Sequence, residues 1–224
     1  MTLTTKPILC YVTDRRSLPA AEAGAGVSAP AASLEPLRAA IVRAAAAGVD
    51  WIQIREKDLD AANLAAVTSD AVRAAGAGSR MIVNDRLDVA LAAGAGGVHL
   101  GEASLPVESV VRWARENAPA GFLVGVSRHS LEKALQAEGE GADYVVFGPV
   151  FETSSKRAYG PPQGLKRLAK VCQRVRIPVL AIGGVTLENA QACLAEGAAG
   201  VAAIHLFQNA ADMTAVIGAL RALH

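Results

Sequence analysis

Residues Ile177–Ile204 read IPVLAIGGVTLENAQACLAEGAAGVAAI, and this stretch holds one complete repeat of the fold. The run Ile177–Ile182 is aliphatic and β-branched, the composition of a strand buried on both faces. A Gly183-Gly184 turn follows. Thr186 then precedes an Ala- and Leu-rich run, Leu187–Glu196, where its hydroxyl can accept from the first orphan amides of a helix. Gly197 suits the left-handed residue that closes such a helix, and Gly200–Ile204 begins the next apolar strand.

The same unit recurs along the chain. Expected strands are Ile8–Thr13, Val49–Arg55, Met81–Asn84, Gly97–Leu100, Phe122–Ser127, Asp143–Phe147, Ile177–Ile182 and Gly200–Ile204. Expected helices are Leu34–Ala47, Ala61–Ala75, Leu87–Ala93, Val107–Glu116, Leu131–Glu140, Leu165–Arg174, Leu187–Glu196 and Ala210–Leu223. Ser130, like Thr186, stands where a helix should start, and Gly48 and Gly141, like Gly197, stand where one should end. Strict alternation of strand and helix predicts an α/β fold, a (β/α)8 TIM barrel formed as a single domain over residues 1–224. A doubly wound sheet is the alternative, but it rarely needs eight evenly spaced parallel strands. Residues Ser17–Ser33 are mostly Ala, Gly, Pro and Ser, and are expected to form a flexible loop after the first strand, either a lid or a tolerated insertion.

Composition narrows the function. Lys plus Arg number 22 against 21 Asp plus Glu, a net charge of +1, so there is no electrostatic footprint for nucleic acid. No stretch reaches the roughly 20 apolar residues that span a bilayer, so no membrane partner is expected. The N-terminal apolar run is cut short by Thr13-Asp14-Arg15-Arg16, unlike a signal peptide. Three cysteines, Cys10, Cys172 and Cys193, are odd in number and lack metal-ligand spacing. They read as reduced thiols of a cytoplasmic protein. Assembly as a homo-oligomer stays open.

A barrel of this kind carries its chemistry at the C-terminal ends of its strands. Strand two ends in Gln53-Ile54-Arg55-Glu56-Lys57, where Gln53, Arg55 and Lys57 alternate and should share one side. Two converging cations suggest an anionic ligand, or else a surface ion-pair cluster with Glu56 and Asp58. Asn84-Asp85 offers a carboxylate to a hard cation such as Mg²⁺, or caps a helix. Thr153, Ser155 and Lys156 supply hydroxyls and an ammonium for a phosphoryl group. Gly183-Gly184 and the end of strand eight, Ile204-His205, supply backbone amides. His129 is a proton-transfer candidate near neutral pH. His99, inside a strand run, reads as structural.

These strings, in this order, resemble the thiamine phosphate synthase and thiazole tautomerase superfamily. The matching segments are Tyr11-Val-Thr-Asp14, Gln53-Ile-Arg-Glu-Lys57, Val83-Asn-Asp-Arg86, Gly97-Val-His-Leu-Gly101, Gly125-Val-Ser127, Ala142-Asp-Tyr144, Phe147-Gly-Pro-Val-Phe151 and Ala181-Ile-Gly-Gly184. The resemblance implies a Mg²⁺-dependent transferase that joins a hydroxymethylpyrimidine diphosphate to a thiazole phosphate and releases pyrophosphate. It implies that Gln53, Ile54, Arg55, Glu56 and Lys57 hold the pyrimidine substrate together with Asn84, Ser127 and His129. Arg55, Lys57, Ser127 and Lys156 then carry the catalytic work, and Asp85 binds Mg²⁺. Thr153, Ser155, Gly184, Ile204 and His205 hold the thiazole phosphate.

The chain departs from the family pattern at three positions. The family carries a second acidic Mg²⁺ ligand in a Gly-Gln-Glu-Asp type string, where this chain has Gly101-Glu102-Ala103-Ser104. Glu102 or water would have to fill that place. Ser155 stands for a common Thr, and His205 for a common Ser. The tautomerase branch, with His129 as its proton carrier, and a non-catalytic binder of thiamine precursors are the alternatives. A tautomerase has no need of the diphosphate residues Gln53, Lys57, Asn84, Asp85 and Lys156.

Overall fold

The computed structural model describes residues 6–18, 34–153 and 161–223. Eight strands run parallel, each paired with the next, and the eighth pairs with the first to close a barrel. They are β1 Ile8–Val12, β2 Trp51–Ile54, β3 Arg80–Asn84, β4 Gly97–Leu100, β5 Leu123–Arg128, β6 Tyr144–Phe147, β7 Val179–Ile182 and β8 Gly200–Ala203. The outer ring is α1 Glu35–Ala47, α2 Ala61–Ala75, α3 Leu87–Ala92, α4 Val107–Asn117, α5 Leu131–Gly139, α6 Gly164–Arg174, α7 Leu187–Ala195, α8 His205–Gln208 and α9 Met213–Arg221. The expected (β/α)8 barrel is therefore present.

Alternation along each strand makes two cores. One set of side chains fills the barrel: Cys10, Val12, Ile82, Tyr144, Val146, Leu180 and Ala202, with Trp51 and Ile182 packed against them. The opposite set, including Leu9, Ile52, Val83, Val98, Val124, Val145 and Val201, faces the helices. Each fully buried aliphatic side chain contributes about 1.5–3 kcal/mol. The register keeps the sets apart, pairing Val12 with Gln53, Asn84 with His99, and Gly125 with Tyr144. Interior residues thus climb each strand toward the mouth, where polar groups replace aliphatic ones.

Local signals set the elements. Ser130 accepts from Lys133 N–H at 3.2 Å, and Asn189 Oδ1 accepts from Thr186 N–H at 2.8 Å. Gly48, Gly141 and Gly197 have φ of 92°, 88° and 91°, as expected of helix-closing residues. Three boundaries differ from expectation for visible reasons. The second strand stops at Ile54 because the Arg55 N–H goes to the Thr13 hydroxyl, at 3.0 Å, and not to a strand partner. The seventh begins only at Val179, since the amides of Arg176 and Ile177 bond to Glu138 Oε1 and Pro178 has none. The last helix, expected from Ala210, begins only at Met213, where Asp212 caps it through Ala215 N–H at 2.9 Å, and the short α8 before it is unexpected.

Arg15–Ser17 forms a short 3-10 turn, so the expected loop starts later, and residues 19–33 lie outside the described residues. Cys10 and Cys193 are buried and Cys172 is half-buried, all three as free thiols. Burial pushes Cys10 up to about 12 and Cys172 and Cys193 up to about 11, which keeps all three as protonated thiols at neutral pH. Among the described residues no helix is long and apolar enough to cross a membrane.

Candidate active site

The C-terminal end of the barrel carries a continuous line of polar contacts from β2 to the turn after β4. Gln53 Nε2, on the interior face of β2, donates to Asn84 Oδ1 at 2.9 Å. Asn84 Nδ2 donates to Asp85 Oδ2 at 2.7 Å. Asp85 Oδ1 accepts from the Ser104 hydroxyl and from Gly101 N–H at 3.3 Å. Asp85 has φ of 62°, a left-handed conformation uncommon for a residue with a side chain. Its N–H bonds to the His99 carbonyl at 2.9 Å, which fixes it there. Such strain concentrates at functional sites. A cleft of about 270 Å³ is lined by Glu56, Lys57, Leu59, Leu64, Asn84, Asp85 and Arg86.

The end of β2 differs from the expected extended alternation. Glu56 turns inward and is 5% exposed, while Leu59 N–H bonds back to the Glu56 carbonyl at 3.2 Å. Lys57 therefore sits on a turn and is exposed, yet it still lines the cleft beside Asp85. Glu56 Oε1 accepts from the Thr13 hydroxyl at 2.6 Å and from Arg15 N–H at 3.1 Å. Burial raises its carboxyl above the ordinary value, while these bonds pull the other way. Asp58 pairs with Arg15 and Arg16, at 2.5 and 2.9 Å. The surface cluster weighed for Arg55 and Lys57 is thus formed by other cations. Arg55 and Lys57 make no ion pair among the described residues, an arrangement that favours an anionic ligand.

On the next sector, Ser127 Oγ at the end of β5 is 2.7 Å from His99 Nε2. His129 Nδ1 contacts the Gly148 carbonyl. Beyond it the turns after β6 and β7 lock together: Val150 N–H bonds to the Ile182 carbonyl at 2.8 Å and Phe151 N–H to that of Gly183 at 2.9 Å. Gly184, with φ of 65°, lies so close that a Cβ there would meet Phe151 Cβ at 2.8 Å and clash with the Glu152 carbonyl. Thr153, half-buried, follows directly, and Ile204-His205 lies where β8 passes into α8. Ser155 and Lys156 lie outside the described residues.

The position expected to hold a second acid is informative. Ser104 bonds to Asp85, whereas Glu102 is 3.1 Å from Lys133 Nζ. Among the described residues no group of three or more His, Cys, Asp or Glu could hold a metal alone. One carboxylate whose direct hydrogen-bond partners, Asn84, Gly101 N–H and Ser104, are neutral still suits Mg²⁺, which commonly uses one or two carboxylates, substrate phosphates and water.

Sequence reasoning missed three residues that shape this mouth. Thr13 links Glu56 to Arg55. Gln208, 1% exposed, accepts from Tyr11 Oη at 2.9 Å and donates to the Asp14 carbonyl at 3.0 Å, tying α8 to the end of β1. Tyr144 Oη lies 3.1 Å from His99 Nδ1. Thr13 and Tyr144 stand in the strings Tyr11-Val-Thr-Asp14 and Ala142-Asp-Tyr144, which could have flagged them; Gln208, in α8, carried no such signal.

Comparison with known proteins identifies the family. A family model described as thiamine monophosphate synthase matches residues 26–207. The thiamine-phosphate synthase of Methanocella arvoryzae is 46% identical over 182 residues, 81% of this chain and 84% of that protein. That of Methanoculleus marisnigri is 47% identical over 185 residues, 80% of this chain and 83% of that protein. The solved structure of thiamine phosphate pyrophosphorylase from Pyrococcus furiosus superposes with a TM-score of 0.77 at 33% identity, covering 96% of this chain and 95% of that one. A closed barrel, a cleft in which Lys57 lies beside a strained Asp85, and these likenesses converge: the chain belongs to the thiamine monophosphate synthase family.

Proposed function

We propose that this chain is a thiamine-phosphate synthase, a transferase acting in the cytoplasm on two phosphorylated small molecules. The observation that carries the reading is Lys57, which lines the cleft beside Asn84 and Asp85 and, like Arg55 two residues before it, has no ion-pair partner among the described residues. Gln53, Asn84 and Ser127 offer amide and hydroxyl groups to a pyrimidine. Arg55, Lys57 and Lys156 take its diphosphate. Thr153, Ser155, Gly184 and the Ile204-His205 backbone take the thiazole phosphate.

The chemistry asks little of the protein beyond charge and position. The C–O bond to the diphosphate breaks, and its electron pair leaves with pyrophosphate. The thiazole nitrogen lone pair then forms the new C–N bond to the resulting pyrimidine carbocation. Charge grows on the leaving group, so cations that bind it more tightly as it departs lower the barrier. No protein nucleophile is needed. Holding the thiazole nitrogen in line supplies the rest, because an oriented pair reacts as one molecule. Mg²⁺, held by Asp85 and the diphosphate, would add Lewis-acid stabilisation of the leaving charge.

The test is product formation with hydroxymethylpyrimidine diphosphate, thiazole phosphate and Mg²⁺. The reading expects thiamine phosphate and pyrophosphate in equal amounts. Isomerisation of the thiazole without the pyrimidine substrate, and no pyrophosphate, would move the assignment to a His129-dependent tautomerase. Binding of both substrates without either reaction would favour a non-catalytic binder.

A further inference from the structure

Behind Ser127 the interior of the barrel holds two polar side chains that the mechanism above does not use. Tyr144 Oη lies 3.1 Å from His99 Nδ1, and His99 Nε2 lies 2.7 Å from Ser127 Oγ. Tyr144 is 1% and His99 2% exposed, while Ser127 is half-exposed at the mouth. The three residues come from adjacent strands, β6, β4 and β5. Gly125 makes the approach possible, since a Cβ there would fall on the Tyr144 ring. Trp51 packs against the same ring, with ring centroids 4.7 Å apart.

The direction of the protons follows from what each group can donate. His99 is the hydrogen-bond partner of the buried Tyr144 hydroxyl among the described residues. If Tyr144 accepted from His99 Nδ1–H, its own O–H would be left buried without an acceptor. An orphaned buried donor costs more than an unused phenol lone pair. Tyr144 therefore donates to Nδ1. A neutral His99 then carries its proton on Nε2 and donates to Ser127 Oγ. Ser127, already accepting, has its own O–H left to point into the mouth.

We propose that Tyr144 is a positioning residue: it fixes His99 in the Nε2–H tautomer, and so makes the Ser127 hydroxyl an obligate donor to the pyrimidine substrate. This rests on the synthase reading only for the identity of the ligand. The tautomer is a property of the free protein. The ligand atom it selects is a hydrogen-bond acceptor, such as a ring nitrogen, and not an N–H.

The experiment is ¹⁵N-histidine NMR on the ligand-free protein at a pH where His99 is neutral, with His99→Gln used to assign its signals. The wild type should show the proton on Nε2. Tyr144→Phe keeps the ring over Gly125 and should shift His99 to a mixture or to Nδ1–H. The same variant should raise KM for hydroxymethylpyrimidine diphosphate about tenfold, equivalent to about 1.4 kcal/mol, with kcat and the KM for thiazole phosphate little changed. Thermal melting checks that Tyr144→Phe is folded. If that variant fails to fold, the wild-type tautomer alone decides. A proton on Nδ1 in the wild type overturns the proposal, as does a folded Tyr144→Phe with unchanged His99 signals or unchanged pyrimidine KM. Absence of synthase activity in the wild type would instead count against the function and leave the tautomer result standing.

Discussion

Gly184→Ala tests the contact between the turns after β6 and β7. The residue has φ of 65°, where a side chain costs about 1–2 kcal/mol. The added methyl would also meet Phe151 Cβ at 2.8 Å and clash with the Glu152 carbonyl, both part of backbone-bonded turns. Overpacking of that kind costs about 1–3 kcal/mol. The sum is about 2–5 kcal/mol, and for a chain of this size each kcal/mol lowers the Tm by about 2–4 °C. A melt should therefore fall by about 4–20 °C. If the Phe151–Glu152 backbone yields instead, the fall is smaller but the phosphate site opens, and KM for thiazole phosphate should rise at least about tenfold. Gly48→Ala is the control. Its φ of 92° imposes the backbone term, but nothing lies within 4 Å of the new methyl, so it should melt earlier with normal kinetics. The reasoning is refuted if Gly184→Ala changes neither the melt beyond the control nor the KM.

Two other perturbations bear on the charged groups. Ser104→Asp sets a second carboxylate against Asp85, because the Ser104 hydroxyl already touches Asp85 Oδ1. Like charges so close should destabilise the variant without metal, and Mg²⁺ should raise its Tm far more than that of the wild type; an equal response of the two proteins would argue against a metal site at Asp85. For Glu56, burial holds the folded-state carboxyl above its ordinary value of 4.5, so the folded protein binds that proton more tightly than the unfolded chain. The associated stability is fully present below the ordinary value and is lost as pH rises through the folded-state value. The wild type minus Glu56→Gln difference in urea midpoint should accordingly fall as pH rises above the ordinary carboxylate range; a constant or rising difference contradicts it.

Much of this molecule was legible in its sequence because barrel repeats are local. Each strand needs a short apolar run, each helix a cap such as Ser130 or Asn189 and a closing glycine such as Gly197, and these sit beside one another in the chain. Boundaries moved where a distant side chain captured a backbone amide, as Thr13 does with Arg55 and Glu138 with Ile177. Those captures depend on closure of the barrel and leave no mark in the local sequence. The same holds for the site. Gln53, Lys57, Asn84 and Asp85 could be named from their places at strand ends. Their supports, Glu56 turned to Thr13, Gln208 locking β1 to α8 and Tyr144 under His99, join residues that are up to 197 positions apart. Glu56 also shows how a local rule misleads: alternation assumed an extended chain through Lys57, but a buried carboxylate turned the backbone.

The central claim is that one barrel mouth holds both anions, pyrophosphate by the groups after β2 and β3 and the thiazole phosphate by the turns after β6, β7 and β8. A crystal grown with thiazole phosphate, pyrophosphate and Mg²⁺ tests it most directly. The account predicts pyrophosphate against Arg55 and Lys57 with the cation between it and Asp85, and the thiazole phosphate on the amide of Gly184. Either anion bound away from the strand ends, or a cation placed without Asp85, would contradict it.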